Sequence, residues 1–115
     1  MKGEFNSSVK AEFKTFVETG STSLTCEYTF KYNNEEIILN EGVITGYKWY
    51  KDHDEINDSN SSVLFFAKLN QSNNGNYLCS IFLNNSQVIN STEINMTVYK
   101  RKLFSCFFDK LNNKK

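Results

Sequence analysis

Cys26 and Cys79 bracket the chain's one tryptophan, Trp49, and the second cysteine closes the run Asn73-Asn74-Gly75-Asn76-Tyr77-Leu78-Cys79. Around all three residues apolar and polar positions alternate, the repeat of a half-buried strand. Leu24, Cys26 and Tyr28 point one way while Thr25 and Glu27 point the other. Ala11, Phe13, Thr15 and Val17 alternate before Gly20, and residues 43–51 form a strand with Tyr47 and Trp49 inward. Residues 63–69 and 76–83 read as two more, and 87–99 as a long final strand with Ile94, Met96 and Val98 inward. Residues 52–61 are polar, which suits a turn with a short edge strand, and Asn84-Asn85-Ser86 supplies a hairpin. Proline is absent, so turns fall to Gly, Asn, Asp and Ser. Gly75 reads as a backbone position closed to a Cβ. The expectation is an all-β chain.

The run ending at Cys79 resembles the Asp-x-Gly-x-Tyr-x-Cys signature of the immunoglobulin superfamily, with Asn73 in place of the aspartate. Leu64-x-Phe66-x-x-Leu69 is similar to that family's strand upstream of the signature. The resemblance runs from about residue 9 to 99 and implies a β-sandwich of two antiparallel sheets. It further implies a Cys26–Cys79 disulfide with Trp49 packed on the sulfurs, leaving Cys106 out. Tyr77 would form a corner, its hydroxyl bonding back to the chain near Asn73. Cys26 and Trp49 stand further apart than is usual in the family, and residues 31–42, rich in Asn and Glu, read as an insertion between their strands. Such a resemblance specifies a fold and not a ligand.

A chain of 115 residues with 39% hydrophobic content buries a real but small core. A bridge across 53 residues would add about 4 kcal/mol by loop-closure entropy. The net charge of zero hides an asymmetry: residues 1–99 carry seven Lys against twelve Asp or Glu, while 100–115 carry six Lys or Arg against Asp109. Nothing in the acidic body suggests nucleic-acid binding, which needs a basic face to neutralise phosphates, and no nucleic-acid partner is expected.

Sequons for N-glycosylation occur at Asn6, Asn57, Asn60, Asn70, Asn84, Asn90 and Asn95. Random placement of this composition gives roughly three such triplets. The excess reads as an extracellular glycoprotein or as an Asn-rich coding bias; the cysteine pair independently favours an oxidising compartment. Residues 1–10 show no secretory apolar core, which implies a removed leader or a domain excised from a longer chain. Any membrane anchor then belongs to segments outside this sequence, since the apolar stretch 103–108 is too short to span a bilayer.

Residues 1–99 are expected to form the domain and 100–115 a basic amphipathic tail. Leu103, Phe104, Phe107, Phe108 and Leu111 recur at helical spacing in that tail. It reads as a short helix packed on the sandwich, a membrane-surface helix, or a boundary remnant. Cys106 would be a buried thiol or an intermolecular link.

Catalytic signals are thin. His53 beside Asp52, Asp54 and Glu55 reads as a solvated turn, with no nucleophile or further ligand placed by the pattern. No metal or cofactor is expected, and the chain reads as a binding module and not an enzyme. Alternation turns Lys48, Tyr50, Leu78, Ser80 and Phe82 outward on one sheet, so Tyr50, Leu78 and Phe82 form either a candidate protein-binding patch or a face covered by a strand, by the insertion at 31–42 or by the tail helix. A sugar on Asn95 would share that face. The resemblance implies an extracellular or cell-surface recognition or adhesion domain with a protein ligand or a homophilic partner. The alternative is a structural module of a giant intracellular muscle-type protein.

Overall fold

The computed structural model describes residues 3–12 and 15–100. Its first sheet is built on β3 (Thr22–Tyr32), which pairs along one side with β1 (Gly3–Ala11) and along the other with β7 (Val63–Phe66) and β4 (Glu35–Ile37), all antiparallel. The second runs β6 (Asp54–Glu55), β5 (Ile44–Lys51), β8 (Gly75–Leu83), with β9 (Val88–Asn90) and β10 (Ile94–Met96) sharing the far side of β8. A short parallel pair, β2 (Phe16–Val17) with β11 (Val98–Tyr99), joins the first and last parts of the described chain.

Alternation in β3 and β8 determines what lies between the sheets. Thr22, Leu24 and Cys26 on β3 are buried, as are Tyr77, Cys79, Ile81 and Leu83 on β8. Trp49 on β5 lies directly opposite Cys79 and is fully buried, and Phe16, Leu69, Met96 and Val98 close the ends of the core. Each large side chain removed from water in this way contributes about 1.5–3 kcal/mol. The Cys26–Cys79 disulfide crosses the core with the two Cα atoms 6.1 Å apart, within the usual span of such bridges.

The loop after β6 replaces a further strand as the lid over Trp49. Ile56 N–H donates to the Trp49 carbonyl at 2.9 Å, and the Trp49 backbone N–H donates to Ser59 Oγ at 3.3 Å. The indole N–H donates to the Ser61 carbonyl at 2.8 Å, so the buried polar handle of the ring is satisfied. At the other end of β8 the tyrosine corner is formed. Tyr77 is 1% exposed, and its hydroxyl donates to the Asn73 carbonyl at 2.6 Å.

Asn73 closes a one-turn 3-10 helix, Gln71–Asn73. Its Oδ1 accepts the Asn70 N–H at 2.9 Å while Asn70 Oδ1 accepts the Ser72 N–H, a reciprocal cap that an aspartate could also provide. Gly75 follows, where a Cβ would come within 2.8 Å of Asp52 Oδ2. That carboxylate is held there because its Oδ1 accepts the Asn76 N–H at 2.9 Å.

Two strands differ from the sequence reading, and the insertion acquires a definite form. The first strand begins at Gly3 and ends at Ala11, with only Phe16–Val17 continuing it; residues 13 and 14 lie outside the described set. Phe5, Ser7, Val9 and Ala11 alternate inward against Phe30, Tyr28, Cys26 and Leu24, so the pairing partner and not the apolar content sets the boundary. The insertion at 31–42 takes the form of a hairpin arm over residues 31–37 followed by irregular residues 38–42. β3 runs on through Tyr32 and turns back at Asn33 and Asn34, both at positive φ (55° and 65°), the two-residue turn whose twist matches a hairpin.

The long final strand is broken in turn. Between β9 and β10 one extra residue enters opposite β8: Ser80 pairs with Asn90, but Tyr77 pairs with Ile94. Ser91 fills the bulge, its Oγ accepting the Cys79 N–H at 2.9 Å while its own N–H donates to the Cys79 carbonyl. The expected helical tail and Cys106 lie outside the described residues.

Candidate interaction surface

The outer face of the second sheet is ordered in rows by the register of β5, β8 and the strands beyond. Tyr50 lies opposite Leu78, Lys48 opposite Ser80 and Ser80 opposite Asn90, while Gly46 and Val88 flank Phe82. Ser80 is small and 3% exposed, so it forms a floor between the larger Leu78 and Phe82. The result is a shallow groove of about 430 Å³ lined by Tyr50, His53, Leu78, Ser80, Phe82, Val88 and Asn90.

Tyr50, Leu78 and Phe82 are thus brought together as expected, but half-buried against one another and not standing free. Val88, 46% exposed, completes the apolar wall and was not singled out from sequence; its position is visible only once β9 is in register with β8. His53 reaches the groove because Asp52 and His53 form a second two-residue turn at positive φ (50° and 74°) between β5 and β6. Lys48 pairs with Glu55 at 3.2 Å on the exposed rim, a contact worth under about 1 kcal/mol. Among the described residues, no three His, Cys, Asp or Glu side chains are grouped to hold a metal.

All seven sequon asparagines are exposed. Asn6 is on the outer face of the first sheet, Asn57, Asn60, Asn70 and Asn84 lie outside the strands, and two share the grooved face. Asn95 sits beside Asn76, to which its Nδ2 donates at 2.9 Å. Asn90 lines the groove itself, a placement the sequence reading missed because the bulge at Ser91 sets it.

Two further apolar features escaped the sequence reading. On the first sheet Phe65 is 64% exposed beside Val63. At the hairpin end Phe5, Phe30, Tyr32, Leu39, Val43 and Leu83 line a cleft of about 350 Å³, near Ile38. The Phe5 ring stacks on Tyr28 at 5.4 Å, and alternation from residue 3 onward was the available signal.

A stapled pair of antiparallel sheets with a tryptophan on the bridge and a tyrosine corner defines a sandwich of immunoglobulin type. A family model described as immunoglobulin domain matches residues 6–100, and the chain belongs to that family. The second Ig-C2 domain of human Fc-receptor like A is 16% identical, with a TM-score of 0.60 over 82% of this chain and 96% of that one. The N-terminal four Ig domains of Dscam1 isoform 7.44 show 19% identity and a TM-score of 0.57 over 81% of this chain. A structure described as the basis for Dscam isoform specificity shows 22% identity and a TM-score of 0.54 over 82%. The chain spans 21% of each of those two Dscam chains. These likenesses define the fold alone. A search of curated protein sequences found no match.

Proposed function

We infer that this domain is an extracellular recognition module that binds a second copy of itself or another protein through the outer face of β5, β8 and β9. The observation that carries the reading is the groove. Tyr50, Leu78, Phe82 and Val88 converge on a sheet face whose opposite side is already committed to the core. Apolar patches with aromatic anchors are where binding energy concentrates. The disulfide and seven exposed sequons support an oxidising, glycosylating compartment, and the fold is shared with Dscam chains of several Ig domains. The intracellular alternative has no use for either feature, and one free thiol on native protein, against three, distinguishes the two.

Leu78→Glu with Phe82→Glu, made in protein free of sugar at Asn90, tests the surface. Coated-bead aggregation should be lost for a homophilic contact, and capture on partner-bearing cells for a heterophilic one, while the melting temperature stays within a few degrees. Unchanged association, or loss of folding together with association, would overturn the assignment.

A further inference from the structure

We propose that Asn90 carries an N-linked glycan whose first N-acetylglucosamine lies in the groove above Ser80, against Leu78, Phe82 and Val88. Its occupancy then decides how much of that face a protein can reach. The inference rests on the extracellular reading and assigns the groove an occupant of its own.

The attachment point is part of the groove wall. Asn90 faces Ser80 across the ladder, and Ser80 Oγ donates to Asn90 Oδ1 at 2.5 Å. That bond ties the carbonyl side of the amide to the groove floor and holds the attached nitrogen beside it. Among the described residues Asn90 Nδ2 makes no hydrogen bond, unlike Nδ2 of Asn6, which donates to Glu4, and of Asn95, which donates to Asn76. A sugar on Asn90 therefore starts above the smallest outward side chain of the central strand. Leu78 and Phe82 flank it at the two-residue repeat that places side chains on one face.

The chemistry of the occupant matches the walls. A pyranose presents axial C–H groups on one face, and its acetamido methyl is apolar, while its hydroxyls stay in water at the rim. Leu78, Phe82 and Val88 supply the apolar contact, and His53 and Lys48 stand toward the polar side. Asn6 also lines a groove, of about 470 Å³ with Tyr28 and Tyr47, but there its Nδ2 is engaged by Glu4. Asn95 lies beside Asn76, one row beyond Leu78 on β8.

Attachment needs an activated donor, a polyprenyl diphosphate-linked oligosaccharide. Asn90 Nδ2 forms a bond to the anomeric carbon, the bond from that carbon to the diphosphate oxygen breaks, the diphosphate leaves, and the displaced amide proton goes to the transferase's base. No oxidation state changes. With the sugar seated, Leu78 and Phe82 are masked and the surface left to a protein is the Tyr50 side; without it the whole groove is open.

The full chain, secreted from eukaryotic cells with high-mannose glycans, provides the test. Glycopeptide mass spectrometry should find Asn90 occupied. Thr92→Ala, which removes the sequon but keeps the Asn90–Ser80 bond, should lower the melting temperature by about 4 °C or more. Trimming the glycan to one sugar should preserve that temperature, and the effect of Thr92→Ala should vanish in a Phe82→Ala background. Should Phe82→Ala fail to be secreted, Leu78→Ala gives the same comparison. An unoccupied Asn90, or a Thr92→Ala effect that persists without Phe82 or Leu78, overturns the proposal. Association of the Thr92→Ala protein is read separately, so the partner-binding reading and the glycan seat can fail independently.

Discussion

Replacing Tyr77 by Phe removes one oxygen from the centre of the corner and nothing else. The ring keeps its place in the core and its edge contact with Phe66, whose centroid is 5.6 Å away at 86°. What is lost is the bond to the Asn73 carbonyl at 2.6 Å. A neutral hydrogen bond contributes about 0.5–1.5 kcal/mol net, and a buried acceptor left unpaired adds to that. Asn73 is only half-buried, so water recovers part of the loss, and about 1–2 kcal/mol is expected. In a domain of this size each kcal/mol moves the melting point by about 4–8 °C. Urea unfolding should show the same change with an unaltered slope, since the surface exposed on unfolding is the same.

The same hydroxyl makes a second, independent prediction. Burial first, and then the charge of Asp52, push the Tyr77 pKa up to about 12 from an ordinary 10.0. The folded state thus favours the protonated form. Its contribution is complete below pH 10 and is lost as pH rises from 10 toward 12. The wild-type protein should therefore lose stability over that interval faster than Tyr77→Phe, and the gap between them should narrow. A variant as stable as wild type to within about 0.3 kcal/mol, or two parallel pH profiles, would refute the role given to the corner.

Paired replacement Cys26→Ala with Cys79→Ala should cost roughly 2–5 kcal/mol by denaturant unfolding, because the bridge closes a 53-residue separation in the unfolded chain. Gly75→Ala should destabilise by about 1–2 kcal/mol, since the new Cβ would sit 2.8 Å from Asp52 Oδ2 and 2.9 Å from Lys51 Cε at a backbone φ of 158°. A thermal melt checks it, and Gly75→Ala with Asp52→Ala should cost less than the separate effects combined, because one change relieves the other.

The sandwich, its staple and its corner were legible because they rest on short-range chemistry. Alternation around Cys26, Trp49 and Cys79 sorts inward from outward residues wherever a strand exists, and Gly75 and Tyr77 stand at fixed offsets from the second cysteine. Tyr50, Leu78 and Phe82 could be assigned to one face on the same ground. What tertiary structure alone decided depends on which strand lies beside which. Phe5 to Ala11 became a strand because β3 offers an edge, and the Asn-rich insertion extended that strand because Asn33 and Asn34 accept positive φ. The bulge at Ser91 shifts the final strand by one residue, placing Asn90 opposite Ser80. A one-residue shift exchanges the faces of a strand, and no window of sequence contains the partner that sets it.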